Sequence, residues 1–199
     1  MSLPYALLGL IRYKPATGYD LKITFKNSVH FFWNAALPHI YRILKQMEGQ
    51  GWITSIVEHQ EGKPSRKVYR LTKAGGKEFL NWLEEPPEMP EPRLPMLVKV
   101  FFGNQMAPDQ FKEHLKQWRE HHLGLLQKFD KEVPSVIKKH STSMGSSEDP
   151  YYWGLTLDFG RRHARMVVEW CDQALKEQEA VKGERKEKVG RLNLKNKKK

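Results

Sequence analysis

The chain has 199 residues, of which 39% are apolar, and a formal net charge of +11. This composition excludes a wholly disordered chain, and no apolar run approaches the length of a membrane-spanning helix. The first residues lack the basic and apolar segments of a secretory signal, and the single cysteine, Cys171, cannot form an internal disulfide. We therefore expect a cytoplasmic protein without membrane contacts.

The positive charge is concentrated at the two ends of the chain. Residues 1–85 carry a net charge of +5, residues 86–181 carry −1 and residues 182–199 carry +7. A basic N-terminal part suits binding to a polyanion, because cations that neutralise phosphates release counterions. We expect the lysine-rich end, residues 181–199, to be a solvated and disordered tail.

The first 50 residues predict three short helices. Residues 5–13 are rich in leucine and stop before Pro15, and Thr17 is placed to cap the second helix. The third helix is the most informative, because its apolar residues repeat at helical spacing and form one core-facing stripe. That stripe consists of Leu37, Ile40, Leu44 and Met47.

A β-hairpin and a fourth helix follow in the sequence. Residues 52–58 and 66–71 predict two strands around a turn at residues 60–64. Three helices followed by a basic hairpin are typical of a winged helix-turn-helix, so the predicted fold class is mainly α with a small β hairpin. Thr72 is placed to cap the fourth helix, whose predicted apolar face consists of Phe79, Leu80 and Leu83.

This fold predicts contacts with double-stranded DNA. A helix fits the major groove, where base edges are readable, and a hairpin reaches phosphates or the neighbouring minor groove. Arg42, on the polar side of the third helix, is the candidate for base readout or a tight phosphate contact. The alternative is a winged-helix protein-interaction module without sequence-specific DNA binding, whose charges form a solvated surface. The other candidate DNA-binding residues are Asn34, His39, Tyr41, Lys45, Lys63, Arg66 and Lys67.

Residues 84–95 mark a boundary between two domains. They contain five of the twelve prolines, and proline both fixes φ and removes a backbone donor. We predict a DNA-binding domain at residues 1–85, a semi-rigid linker at 86–95 and a helical domain at 96–180, before the tail at 181–199.

The sequence of the helical domain predicts dimerisation. Apolar residues repeat every three or four positions in two long helices, one from about residue 107 and one from about residue 151. Two helices alone do not bury such stripes well, which favours pairing with a second copy of the chain in a helical bundle. Two recognition helices about one duplex turn apart, roughly 34–36 Å, would then read an inverted repeat.

The same domain is rich in aromatic residues, which suits a pocket for a planar effector. The alternative is that these side chains form the core of the bundle. Neither a cysteine pair nor two histidines at i, i+4 spacing occurs in the sequence, so no metal site is predicted. The sequence also has no phosphate-binding loop and no nucleophile elbow, so we predict no enzyme and no cofactor. The candidate effector-binding residues are Trp118, His122, Tyr152, Trp153 and His163.

Five motifs of the N-terminal domain, in unbroken order, resemble the PadR family of bacterial transcriptional regulators. They are Ala6-Leu7-Leu8-Gly9-Leu10, Gly18-Tyr19-Asp20-Leu21, Ile40-Tyr41-Arg42-Ile43-Leu44, Gly51-Trp52-Ile53 and residues 66–75. The linker and long helices that follow are similar to the larger subfamily with an extended C-terminal domain. Pro38 stands where many relatives have a small or polar residue, so we expect a differently shaped helix entrance.

The resemblance implies a homodimeric repressor of the bacterial or archaeal cytoplasm, located on the nucleoid when it binds DNA. It implies that Ile40, Tyr41 and Arg42 lie on the recognition helix and that residues 62–67 form the wing. It also implies that a small effector relieves the repression, with aromatic or phenolic compounds as one expected class.

Overall fold

The computed structural model describes residues 2–28, 35–87, 89, 93–143 and 148–196. For Asn27, Gln60, Lys63, Thr142, Ser143 and residues 181–196, it describes the backbone alone. The elements in chain order are α1 (Leu3–Tyr13), β1 (Ala16–Thr17), α2 (Gly18–Asn27), α3 (Leu37–Gly49), β2 (Ile53–Gln60), β3 (Lys63–Leu71), α4 (Lys73–Glu84), α5 (Pro95–Phe101), α6 (Pro108–Lys131), α7 (Val133–Ser143) and α8 (Asp149–Asn196).

The chain divides into two compact units. The first, here called the winged-helix unit, comprises Met1–Pro90 and Ser135–Gly154. The second, here called the helical unit, comprises Glu91–Pro134 and Leu155–Lys199. The mainly helical architecture with a small antiparallel sheet confirms the predicted fold class.

The core of the winged-helix unit lies between α1, α2, α3 and the sheet. The apolar residues of the three helices meet there, because each helix presents its apolar side to the other two. The most deeply buried side chains are Leu7, Leu8, Leu21, Phe25, Ile40, Leu44, Met47 and Ile53.

The second helix begins where the sequence predicts. The N–H of Asp20 donates to Thr17 Oγ1 at 3.1 Å, and the N–H of Thr17 donates to Asp20 Oδ2 at 3.2 Å. These two hydrogen bonds form a capping box, which confirms Thr17 as the cap. In α3, Pro38 lies in the first turn. Backbone N–H groups in the first turn form no hydrogen bond within the helix, so proline costs nothing there.

The sheet has three antiparallel strands in the order β1-β3-β2, one more than the predicted hairpin. The extra strand, β1, pairs Ala16 with Tyr69 of β3. Two residues are too few to show an alternating pattern, so the sequence gives no signal for this strand. The hairpin itself turns at Gly62, whose φ of 69° lies in the left-handed region that glycine adopts most easily.

The first turn of α4 packs closely against the start of the hairpin. The N–H of Gly75 donates to Thr72 Oγ1 at 3.0 Å, which confirms Thr72 as the cap. A Cβ at Gly75 would overlap the carbonyl oxygen of Trp52, so a larger residue does not fit. A Cβ at the next residue, Gly76, would have ordinary contact with Leu71 at 3.7 Å.

The predicted apolar face of α4 is only in part correct. Phe79 packs against the core, whereas Leu80 and Leu83 are 45% and 56% exposed. The close approach at Gly75, one turn before Phe79, sets the rotation of the helix about its axis. With that rotation, the two leucines are turned away from the core.

The helical unit packs α6 along α8. Three ion pairs join these helices, and they connect Lys112 to Glu179 at 2.5 Å, Arg119 to Asp172 at 2.7 Å and Arg161 to Asp130 at 2.9 Å. All three pairs are partly exposed, so buried side chains account for most of the stability of this contact. Those side chains are Leu115, His122, Phe129, Leu157, Ala164, Val167 and Cys171.

The two compact units depart from the predicted boundary of the helical domain. Residues Ser135–Gly154 belong to the winged-helix unit, although the prediction placed them within residues 96–180. The start of α8 contacts α1 in this unit, because the Tyr13 hydroxyl donates to Asp149 Oδ1 at 3.0 Å. The ring of Trp153 also lies edge-on to that of Tyr13, with 6.0 Å between the ring centroids.

The C-terminal segment also differs from its prediction. The backbone of residues 181–196 is helical and continues α8, where a disordered tail was expected. The segment has no proline, and lysine, arginine, glutamate and leucine are all good helix formers. Its high charge therefore does not prevent helix formation.

We expect Gly75→Ala to destabilise the protein, because the added methyl group would overlap the carbonyl of Trp52. The expected loss in the free energy of unfolding is about 2 kcal/mol or more. Gly76→Ala is the matched control, and we expect it to raise the free energy of unfolding by up to about 1 kcal/mol, because alanine favours helix. Urea unfolding followed by circular dichroism measures both. Equal stability of the two variants would contradict the close approach at Gly75.

Candidate nucleic-acid interface

The third helix, α3, has one buried side and one exposed polar side. Ile43 joins the buried stripe, whereas Leu37 is only half-buried. The predicted core stripe is therefore shifted by part of a turn. On the opposite side, Arg42 and Gln46 are exposed and His39 is half-buried. This is the arrangement that a helix needs to present side chains to a DNA groove.

Tyr41, a candidate DNA-binding residue, also contributes to the packing of α3. Its ring lies over the first residue of α2, since a Cβ at Gly18 would overlap Tyr41 Cε1. The side chain is nevertheless 45% exposed. Tyr41 therefore packs α3 against α2 and leaves part of its surface open beside Arg42.

Glu48 joins the last turn of α3 to both strands of the hairpin. The hydroxyl of Ser55, on β2, donates to one carboxylate oxygen of Glu48. The ammonium group of Lys67, on β3, lies 2.8 Å from the other oxygen. The hydrogen bonds from Lys67 and Ser55 hold the pKa of Glu48 below its ordinary value, and the same ion pair raises the pKa of Lys67.

The second basic residue of the hairpin, Arg66, also has an acidic partner. Its Nε and Nη2 lie 2.8 Å and 2.7 Å from Glu58 Oε2. Glu58 and Arg66 are opposite each other in the β2–β3 register, which favours this pair. Because neighbouring residues of a strand point to opposite faces, Arg66 and Lys67 lie on opposite faces of the hairpin.

Arg42 and Lys45 differ from Arg66 and Lys67 of the hairpin. Within the described part of the chain, neither forms a hydrogen bond or an ion pair, and both are exposed. Their positive charges are therefore available to an anion without breaking a contact in the protein. By this criterion Arg42 and Lys45 are the strongest candidates for DNA contacts among the predicted residues.

Two predicted DNA-binding residues receive no structural description of their side chains. Asn34 lies outside the described residues. The backbone of Lys63 pairs with that of Gln60 at the end of the hairpin, and its side chain lies outside the described part of the structure.

Sequence reasoning missed Glu48, although a signal for it was present. Tyr41, Lys45 and Glu48 have i, i+4, i+7 spacing, so they lie along one side of α3. An acidic residue in line with two candidate DNA contacts is unexpected on a surface that binds phosphates. Its partner, Lys67, is 19 residues away, and only the fold brings the two together.

Three of the candidate effector residues lie together in the helical unit. The ring of Trp118 lies edge-on to those of His122 and Trp170, at 5.6 Å between centroids in each case. His163 lies 6.0 Å from His122. His122 is buried and its Nδ1 is 2.9 Å from the carbonyl oxygen of Trp118, which makes Nδ1–H the donor. Burial lowers the pKa of His122.

The other two candidate effector residues belong to the winged-helix unit. Tyr152 is exposed and contacts Tyr151, with 5.2 Å between the ring centroids. Trp153 is half-buried against Tyr13 of α1. The five predicted residues therefore form two separate sets.

No group of three histidine, cysteine, aspartate or glutamate side chains among the described residues is arranged to hold a metal ion. None of the helices, over the residues described, is both long and apolar enough to cross a membrane.

Two family models match the sequence. The model of the transcriptional regulator PadR-like family matches residues 7–81, and that of the virulence activator alpha C-terminal region matches residues 92–179. The chain is 30% identical over 178 residues to the negative transcriptional regulator PadR of Bacillus subtilis (strain 168), which covers 87% of this chain and 95% of that protein.

Solved structures share the fold. The crystal structure of Bacillus subtilis PadR in complex with operator DNA has a TM-score of 0.73 and 25% identity, covering 89% of this chain and 99% of that one. The crystal structure of Bacillus subtilis PadR in complex with p-coumaric acid has a TM-score of 0.69 and 24% identity, covering 90% of this chain and 99% of that one.

Proposed function

The chain belongs to the PadR-like family of DNA-binding transcriptional regulators, and we propose that it represses transcription as a homodimer that a small effector releases from operator DNA. The name of its Bacillus subtilis relative, a negative regulator, supports repression. The complex of that relative with operator DNA supports an operator as the partner.

The DNA-binding proposal rests on the exposure of Arg42 and on its lack of a partner among the described residues. This guanidinium is exposed on the polar side of α3 and has no partner among the described residues. Arginine presents donors in a fork that matches either guanine or a phosphate. In the proposed complex, α3 lies in the major groove, Arg42 contacts a base edge or a phosphate, and Lys45 contacts a phosphate.

We expect Arg42→Ala to weaken binding to a duplex from the promoter region upstream of its own gene by about 1–3 kcal/mol. Fluorescence anisotropy across a salt series measures this loss. Arg12→Ala is the matched control, because it removes the same charge from an exposed position on α1. If Arg42→Ala binds as the control does, or if binding is indifferent to sequence, a protein-interaction module becomes the better interpretation.

The proposed dimer interface includes the exposed side of α8. Large apolar side chains recur there on one side of the helix and remain open to solvent in the single chain. Exposed apolar surface of this extent is typical of an interface. A second copy of the chain would bury it and would also provide the second recognition helix. The side chains in the helical unit are Leu155, Phe159, Met166 and Trp170.

We expect wild-type protein to sediment as a dimer and Phe159→Glu to shift it toward monomer, because a buried carboxylate at the interface has no partner. Phe159 is 69% exposed in the single chain, so the substitution should leave the monomer folded. Arg165→Glu, on another side of α8, is the control and should remain dimeric. Sedimentation velocity at micromolar concentration tests this interface, and a dimeric Phe159→Glu variant would rule it out.

The proposed effector is an aromatic acid that contacts Trp153. The p-coumaric acid complex of the Bacillus subtilis relative supports this chemical class. Trp153 contacts Tyr13 at the end of α1, and α1 packs in the core against α3. A ligand that displaces Trp153 would therefore act on α1 and, through the core, on the position of the recognition helix. Trp118, His122 and His163 form the alternative site in the helical unit.

We expect p-coumaric acid to release the promoter duplex, and Trp153→Leu to raise the concentration needed by tenfold or more. Trp118→Leu is the control in the other unit and should respond as the wild type does. Anisotropy of a labelled duplex measures release, and thermal unfolding checks that both variants are folded. If Trp118→Leu raises the required concentration of p-coumaric acid and Trp153→Leu does not, the effector site lies in the helical unit. If p-coumaric acid releases the duplex from neither the wild type nor the variants, it is not an effector of this protein.

A further inference from the structure

In the proposed DNA complex, the Glu48 carboxylate and a DNA phosphate would compete for Lys67. In the free protein, its ammonium group lies 2.8 Å from Glu48, with the two side chains 45% and 31% exposed. It also lies 5.2 Å from the ring centroid of Tyr69. A DNA phosphate that approached Lys67 would have to take the place of the Glu48 carboxylate or share the cation with it.

Glu48 lies on the side of the winged-helix unit that would face DNA in the proposed complex. Glu48 lies in line with Tyr41 and Lys45 on α3, one turn beyond Lys45. Ser55 donates to one of its carboxylate oxygens and so leaves the other directed at Lys67. The acid therefore has a fixed orientation, whereas a freely rotating surface glutamate would not.

We propose, on the basis of the function proposed above, that Glu48 holds Lys67 away from phosphates in non-specific complexes and releases it only in the operator complex. Non-specific affinity comes almost entirely from cations that neutralise phosphates. A cation that already has a carboxylate partner releases fewer counterions when DNA binds, so it adds less to this affinity. When α3 is seated in its operator, a phosphate is held beside the hairpin, and the exchange becomes favourable.

The strength of the pair is compatible with such an exchange. Partly exposed ion pairs of this kind contribute little to stability, so the exchange is expected to reduce operator affinity by at most about fivefold. Non-specific complexes lack the base contacts that would offset this cost. Glu48 would therefore increase the ratio of specific to non-specific affinity and is a specificity-determining residue that need not touch a base.

The experiment measures the salt dependence of binding to two duplexes, one from the promoter upstream of the gene and one of random sequence and equal length. We expect Glu48→Gln to raise affinity for the random duplex about fivefold and to steepen its salt slope by about 0.9, the value for one added phosphate contact. The slope for the promoter duplex should stay unchanged, because Lys67 already contacts a phosphate there.

Three further variants separate competition from other effects. Glu61→Gln removes the same charge from the hairpin turn but frees no cation, since Glu61 has no ion pair among the described residues, so the slope should not change. Ser55→Ala removes the hydrogen bond that orients Glu48 but leaves the charge of Glu48 in place, so it tests the orientation of the carboxylate separately from its charge. In a Lys67→Gln background, Glu48→Gln should leave the slope for the random duplex unchanged.

Two results would overturn the proposal. One is an equal salt slope for Glu48→Gln and Glu61→Gln on the random duplex, and the other is a steeper slope that persists without Lys67. Failure of the DNA-binding function itself is seen separately, because Arg42→Ala would then bind the promoter duplex as Arg12→Ala does. A loss of affinity for both duplexes without a change in slope would assign Glu48 a purely structural role.

Discussion

The third helix, α3, and the hairpin are held together by the backbone of Trp52. Its N–H donates to the carbonyl of Met47 in the last turn of α3 at 3.0 Å, and its own carbonyl accepts the N–H of Thr72 at 3.1 Å. Gly51, with a φ of 71°, makes this tight exit from α3 possible. The same carbonyl is the one that Gly75 approaches. The starting points of the hairpin and of α4 relative to α3 therefore depend on the backbone of one residue, Trp52, and the positions of the exposed side chains of α3 and the hairpin depend on those starting points.

The cations of α3 differ from Arg66 and Lys67 of the hairpin in whether they have an acidic partner. Cations on the exposed side of α3 have no acidic partner among the described residues, whereas Arg66 and Lys67 each have one. A net charge therefore describes this surface poorly, because it counts paired and unpaired cations alike. What matters for a DNA contact is the free energy of removing the cation from its present partner, and that quantity is close to zero for Arg42.

The sequence predicted most of the winged-helix unit, because its signals are local. The caps at Thr17 and Thr72 and the apolar repeat of α3 depend on residues within one or two turns of each other. The missed features all depend on distant partners. Strand β1 exists only because Ala16 reaches Tyr69, and the face of α4 is set by Trp52. The candidate site follows the same division: the exposed arginine was predictable from the helical pattern, and its contrast with the paired cations of the hairpin was not.

The compact units of the structure divide the chain at more points than the predicted domains do. A proline-rich segment is a visible boundary, and one such segment predicts one connection between two domains. The chain instead passes from one compact unit to the other near residues 90, 134 and 154. The last of these points lies inside α8, whose first turns contact α1 and whose later turns pack on α6. The exposed apolar side of α8 and the contact of Trp153 with Tyr13 are on this one helix. In the proposed function, displacement of Trp153 by an effector and association of two chains would therefore act on the same element.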